Sequence, residues 1–259
     1  NALRDAAIQG AAAVDWHRKY GNPDWHIVWG KPHLRRGIGV AFLMQGSGIP
    51  NLDMGAASIK MNDDGSFNLM MGATDLGTGS DTVLGQIAAE LLGCSLSDLI
   101  IRSSDTDVTP FDKGAYASST TYISGGAVAR AAEAVADQIR AVAAEMMGGA
   151  PSAFRLRNGR AWRDDGKSLA FREIALFALH TQNQHQIMGQ ASFVSPVSPP
   201  PFGAQFAEVT VDTETGQTVV NNLVIALDSG QIVNPLTASG QAEGGMHQAL
   251  GYALTEEML

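Results

Sequence analysis

Between residues 56 and 103 the chain alternates segments of different hydrophobic period, and this alternation restricts the fold more than any other feature. Short apolar runs at 56–61 and 67–71 flank Asn62-Asp63-Asp64-Gly65, a turn signature that predicts a β-hairpin. After a glycine-rich stretch, Val83, Leu84, Ile87, Leu91 and Leu92 recur at helical spacing, with Ser80 or Asp81 as N-cap and Gly93 as the stop. Residues 99–103 then read as a strand. A chain that runs strand, loop, helix, strand buries its apolar faces by laying the helix on a sheet, so a layered α/β or α+β domain is expected.

The flanks extend the pattern. Residues 2–20 carry Ile8, Ala11, Ala12 and Trp16 at helical spacing and end at Gly21-Asn22-Pro23, which predicts one amphipathic helix. Residues 23–36 show no period and read as a connector. A second long helix is expected over 127–147, closed by Gly148-Gly149, and a third over 169–180 behind Ser168. Runs at 206–211 and 218–227 around Asp212 to Gly216 predict a second hairpin. Residues 238–259 read as helical despite Gly240, Gly244, Gly245 and Gly251. Each interior glycine costs roughly 1 kcal/mol relative to Ala, so close backbone packing on a neighbour or ligand is expected there.

Composition narrows the partners. The 259 residues are 45% hydrophobic and 17% charged, which excludes disorder and supplies one large domain or two small ones. A net charge of -9 opposes a phosphate backbone, so no nucleic-acid partner is expected. No run approaches the roughly 20 apolar residues that span a bilayer, so no membrane partner is expected either. One cysteine, Cys94, cannot build a thiolate cluster or an internal disulfide and reads as a small buried hydrophobe in a reducing, cytoplasmic setting. Among the six histidines only His180 and His185 stand close in sequence, and no protein-ligated metal is expected.

Chemistry concentrates in two loops. Residues 72–80, Gly-Ala-Thr-Asp-Leu-Gly-Thr-Gly-Ser, lie between a strand and a helix start, where unpaired backbone N–H groups face an oxyanion and glycine allows close approach. The stretch lacks the Gly-Lys-Ser/Thr of a Walker loop, and Thr82 stands where a dinucleotide fingerprint needs its third glycine. A tight structural turn explains the first loop equally well. The second stretch, residues 112–126, is small and hydroxyl-rich and also leads into a helix. Its Tyr116, Tyr122 and Ile123 are odd in a solvated turn, which favours a polar ligand with several phosphate or oxo groups.

Residues 72–79, 114–128 and Gly240-Gln241-Ala242-Glu243-Gly244 resemble, in order and separation, three motifs of the molybdenum-cofactor-binding subunit in the xanthine dehydrogenase family of molybdenum hydroxylases. The hairpin at 208–226, Asp228-Ser229-Gly230 and Asn234-Pro235 fit the same pattern, so the resemblance spans residues 37–259. It implies an α+β layered mixed sheet with helices, as the second half of that cofactor-binding domain, behind an N-terminal helix and connector over 1–36. It also implies that Leu76, Gly77, Thr78 and Gly79 line the first cofactor loop, Ala117, Ser118, Ser119 and Thr120 the second, and that Gln241 is a third contact near the metal end.

Thr78 stands where animal enzymes of the family often have glutamine, and Val40 and Ala41 stand near where xanthine oxidases place an aromatic residue and a threonine. The implied cofactor is molybdopterin, as its cytosine dinucleotide, with molybdenum held by the pterin's sulfurs. The implied reaction is oxidative hydroxylation of a nitrogen heterocycle such as a purine. Implied partners are the remaining part of the molybdenum-binding subunit, iron–sulfur and FAD subunits, and the small heterocyclic substrate. The family's glutamate base lies in a Val-Gly-Glu motif downstream of the Gln241 region, beyond residue 259, so no catalytic residue is expected within this sequence and no activity from it alone. Glu243, Glu256 and Glu257 read as a solvated helix face or as cap pairing. Two other classes stay open: a non-catalytic scaffold or interaction domain, and a phosphate- or nucleotide-binding module.

Overall fold

The computed structural model describes residues 1–181 and 184–257. In chain order the elements begin with α1 (Ala2–Ala13), α2 (Trp16–Lys19), α3 (Pro23–His26), β1 (Leu34–Met44), β2 (Met54–Met61) and β3 (Phe67–Met71). There follow α4 (Ser80–Leu92), β4 (Leu99–Ser103), α5 (Thr120–Met147), β5 (Phe154–Arg157), β6 (Arg160–Arg163) and β7 (Ser168–Ala170). The last are α6 (Phe171–His180), β8 (Met188–Val194), β9 (Phe202–Asp212), β10 (Thr218–Asp228) and α7 (Pro235–Leu254). The expected mixture of sheets and helices is present. It divides into two compact units: a continuous one, Ser47–Ser198, and a split one that joins Asn1–Gly46 to the chain from Pro199 onward.

The continuous unit is built on a four-stranded sheet of order β4-β3-β2-β8. The Asn62–Ser66 turn closes the predicted β2–β3 hairpin, with the Asn62 amide donating to the Ser66 carbonyl at 2.7 Å. Strands β3 and β4 run parallel, with Phe67 opposite Leu99, a pairing that requires a crossover and receives α4. Alternate residues Ile59, Met61, Phe67, Leu69 and Met71 point into the core, as a period of two dictates. Helix α5 lies on β2 and β8 through small residues. A Cβ at Gly126 would sit 2.6 Å from the Phe193 ring, and one at Gly189 would sit 2.8 Å from the Ala131 carbonyl oxygen. The meander β5-β6-β7 and α6 complete the unit.

The split unit has a three-stranded antiparallel sheet of order β1-β9-β10, with Leu34 opposite Asp212 and Met44 opposite Phe202. Helix α1 sits on it at Gly10, where a Cβ would meet the Phe206 ring at 2.2 Å. Trp16 adds an edge-on contact to the same ring, and Ala6, Val14 and Ala204 complete the small core. Residues 36 and 37, where the sequence changes texture, both fall inside β1.

Several boundaries differ from the sequence expectation for identifiable reasons. The helix expected over 2–20 breaks after Ala13, because Asp15 turns left-handed (φ 55°) before α2 resumes. The expected connector holds α3, capped by the Asn22 side chain and opened by Pro23, and also the start of β1. Helix α5 starts at Thr120, well before Ala127, since buried Ile123, Ser124 and Gly125 make tertiary packing override weak propensity. Residue 168 opens a strand rather than capping a helix; Glu173 instead accepts the Ala170 amide at 2.6 Å. Nothing lies within 4 Å of a Cβ at Gly240, Gly244 or Gly245, whereas one at Gly251 would meet the Glu256 side chain, so of the close packing expected along α7 only that at Gly251 is made among the described residues.

Candidate functional site

The first loop leaves β3 at Met71 and reaches α4 at Ser80. The Asp75 carboxylate lies at its centre. Oδ1 accepts the amides of Gly77 (2.9 Å) and Gly79 (3.1 Å), and Oδ2 accepts that of Asp81 (3.3 Å). Gly77 and Gly79 are left-handed, at φ 94° and 76°, a region glycine enters without steric cost. Gly79, rather than Ser80 or Asp81, is the N-cap, and it brings no side chain, so Asp75 does the capping from four residues upstream. The amides expected to face a ligand's oxyanion are therefore engaged by a carboxylate of the protein itself. Leu76 is exposed, Thr78 half-buried, and a Cβ at Gly77 would meet nothing within 4 Å.

Desolvation pushes the Asp75 carboxyl up, but the amides of Gly77, Asp81, Gly79 and Thr78 outweigh it and hold the group below its ordinary value of 3.8. A depressed folded value makes this stabilisation fully present above the unfolded pKa, and acidification through the folded value removes it. Hydrogen-exchange protection of the Gly77, Gly79 and Asp81 amides is accordingly expected to hold at pH 5 to 7 and to fall below about pH 4. Asp75→Asn should remove that pH step. Protection that stays flat through the acid range in the wild type would overturn the assignment.

The second loop follows β4 and ends at α5. Asp112 Oδ1 accepts the Gly114 amide (2.9 Å), and Oδ2 accepts the Ser124 hydroxyl (2.7 Å). Ala117 and Ser118 are consecutive left-handed residues without being glycine, at φ 51° and 54°, and such a backbone costs roughly 1–2 kcal/mol per residue. A turn at 48–53 braces them. The Gly48 amide donates to the Ala117 carbonyl (2.8 Å), the Ser198 hydroxyl donates to the Gly48 carbonyl (2.7 Å), and Asp53 Oδ2 accepts the Ile49 amide (2.7 Å).

Ser119 is buried, and its hydroxyl donates to the Gly114 carbonyl (3.3 Å). Helix α5 thus begins with no side-chain cap, and the positive end of a 28-residue helix lies at Thr120. The Asp53 carboxylate first, then desolvation, and last the charge of Asp112 raise the Tyr116 phenol above its ordinary pKa. That phenol stays protonated and able to donate at neutral pH.

Both loops leave the carboxyl ends of adjacent parallel strands, the edge at which open α/β sheets place ligands. They also touch: a Cβ at Gly72 would sit 2.3 Å from the Pro110 carbonyl oxygen and 2.7 Å from the Asp112 amide nitrogen. The helices they start are packed together near those starts, since a Cβ at Gly125 would lie 3.0 Å from Ile87 and 3.5 Å from Leu84. Leu76, Gly77, Thr78 and Gly79 are therefore brought to the same edge as Ala117, Ser118, Ser119 and Thr120. Gln241 lies on α7 and Val40 and Ala41 on β1, all in the split unit; Gln241 is exposed.

Among the described residues of the continuous unit, the buried side-chain oxygens Asp53 Oδ1, Ser80 Oγ and Asp81 Oδ1 lack a partner. Among the described residues no three His, Cys, Asp or Glu side chains converge on a metal position. Cys94 is half-buried; burial first, and then Asp98, push its thiol up to about 12, which leaves it a poor nucleophile. Among the described residues no helix is long and apolar enough to cross a membrane.

Asp75, Asp112 and Asp53 were not singled out as site residues by sequence reasoning. The first two carry a signal in retrospect, because an Asp two residues before a Gly accepts that glycine's amide in an Asx-turn. The same device recurs at Asp228-Ser229-Gly230, where the bond is 3.0 Å.

The family model described as a molybdopterin cofactor-binding domain matches residues 9–259. A xanthine dehydrogenase molybdenum-binding subunit of Escherichia coli O157:H7 is 37% identical over 213 residues, which cover 80% of this chain and 28% of that protein. Among solved structures, CO dehydrogenase from Oligotropha carboxidovorans superposes with a TM-score of 0.90 at 24% identity, covering 99% of this chain and 34% of that one. Quinoline 2-oxidoreductase from Pseudomonas putida 86 gives 0.87 at 23% identity, again over 99% of this chain and 34% of the other. The two structural likenesses establish the fold. The chain spans about a quarter to a third of the length of these proteins.

Proposed function

Because the chain belongs to the molybdopterin cofactor-binding domain family, we propose that it supplies one wall of the cofactor site in a molybdenum-dependent hydroxylase of the xanthine dehydrogenase type. The observation that carries this reading is the pairing, at one sheet edge, of an uncapped start to α5 with the open, left-handed Gly77. The residues present suit such a guest. The α5 start offers backbone donors to a phosphate oxyanion, the space at Gly77 admits a flat ring, and unpartnered Ser80 Oγ offers a further polar contact.

In this reading Ala117, Ser118, Ser119 and Thr120 hold the phosphate side, Thr120 through its first-turn amide, while Ala117 and Ser118 shape the turn that exposes it. Leu76, Gly77, Thr78 and Gly79 face the pterin by side chain, carbonyl and close approach, because Asp75 engages the amides of Gly77 and Gly79. Gln241 is the third contact. The cofactor, when bound, supplies the redox chemistry of the hydroxylation. This chain's part is to bind and orient it and to exclude water.

The finer assignments rest on the resemblance. They are a cytosine dinucleotide form of the cofactor, iron–sulfur and FAD partner subunits that carry electrons away, a nitrogen heterocycle such as a purine as substrate, and a reducing cytoplasmic setting that suits a lone thiol. The relatives' names span xanthine, carbon monoxide and quinoline, so substrate choice is expected to lie outside the two loops. The test is molybdenum analysis and release of fluorescent oxidised pterin from the freshly prepared full enzyme. Near-stoichiometric amounts of both are expected. Absence of both, together with tight binding of simple nucleotides, would replace this reading with a phosphate-binding module.

A further inference from the structure

Asp112 contacts the mouth of the first loop, the second loop, helix α5 and strand β2, and nothing about a cofactor contact requires that. Its two carboxylate oxygens are divided between the Gly114 amide, within the second loop, and the Ser124 hydroxyl, within the second turn of α5. Its Cβ and amide nitrogen both lie 2.7 Å from where a Cβ of Gly72 would stand, at the mouth of the first loop. Its Oδ2 lies 3.0 Å from the corresponding position at Gly55 on β2, where the Ser124 Cα also closes in at 2.9 Å. Glycine occupies both positions because a methyl group fits at neither. Asp112 is thus wedged between the first loop and the sheet while it pins the second loop to its helix.

We propose that Asp112 is a positioning residue that fixes the two cofactor loops relative to each other and holds the left-handed Ala117–Ser118 turn beside the α5 start. The inference rests on the cofactor reading above but concerns this chain's own residues. Without the carboxylate, the Gly114 amide and Ser124 hydroxyl lose their acceptor. The second loop then loses two of the bonds that tie it to α5 and hold it in the strained turn, while the Gly48 brace at Ala117 and the Lys113 amide bond to the Met54 carbonyl remain. Asn keeps an acceptor for Gly114 and a polar partner for Ser124, so it should substitute where Ala cannot.

The test uses the full enzyme and reads molybdenum and pterin per protein, alongside the thermal midpoint. For Asp112→Ala, which removes two hydrogen bonds, content is expected to fall at least about fivefold, by more than the accompanying drop in the midpoint accounts for. Asp112→Asn should retain most of the cofactor. Ser124→Ala, which removes only one of the two bonds, should lose less than Asp112→Ala, and the double variant no more than Asp112→Ala alone, because the Ser124 contribution runs through Asp112.

Additive losses from Asp112→Ala and Ser124→Ala, or content that falls only in step with the midpoint, would reduce Asp112 to an ordinary structural residue. Full content in Asp112→Ala would overturn the proposal outright. If Asp112→Ala does not fold, Ser124→Ala decides, since it leaves the Gly114 bond in place. Wild-type enzyme without molybdenum or pterin would instead overturn the cofactor reading, and the two failures are told apart by that control.

Discussion

Gly72→Ala is expected to lower the stability of the protein by about 3 kcal/mol or more, with a fall in the thermal midpoint of roughly 10 °C. The added methyl group would stand 2.3 Å from the Pro110 carbonyl oxygen, and its next neighbours, the Asp112 amide nitrogen and Cβ, are both at 2.7 Å. Two of these are backbone atoms, so no side-chain rotation relieves the overlap. The φ of Gly72 lies outside the left-handed region, which makes the cost steric rather than conformational. Relief requires the first loop to move away from the second, so cofactor content should fall with stability. A variant with an unchanged midpoint would show that the loops are not in contact at this point.

Gly77→Val is expected to act differently: a destabilisation limited to local backbone strain and at least about a tenfold loss of cofactor occupancy, the equivalent of 1.4 kcal/mol. Nothing lies within 4 Å of a Cβ at Gly77, so no neighbouring atom of the protein clashes with the side chain. A φ of 94° adds a backbone cost on the order of 1–2 kcal/mol for any residue with a Cβ. Gly166→Val separates the two effects, because Gly166 has a similar φ of 86° and equally open surroundings in the turn between β6 and β7. Equal destabilisation in both variants, with cofactor lost only from Gly77→Val, is the expected outcome. Full molybdenum and pterin content in Gly77→Val would remove the first loop from the site.

Much of the architecture could be read from hydrophobic period and turn chemistry. The β2–β3 hairpin, the extent of β4, the Gly93 stop of α4 and the β9–β10 hairpin all follow from local signals that tertiary packing reinforces. The strands from Phe154 to Ala170 escaped notice because runs such as Phe-Arg-Leu-Arg and Arg-Ala-Trp-Arg are short, mix charge with apolar residues, and form only by pairing with each other. The early start of α5 escaped because Thr, Tyr, Ser and Gly are weak helix formers, and burial of Ile123 against its surroundings compensates.

At the site, sequence could indicate where glycine and hydroxyl groups cluster. It could not show that the acid within the glycine loop points back onto the loop's own amides. That property depends on the φ values of Gly77 and Gly79, which only the folded backbone displays.

The internal carboxylate of Asp75 has a consequence for how such an enzyme matures. A loop that already contains the negative charge its amides require adopts its working shape in the empty protein. An incoming guest then loses none of its interaction energy to ordering that segment. The speed and tightness of loading should depend on the strained pair Ala117 and Ser118, where the backbone is held open from outside.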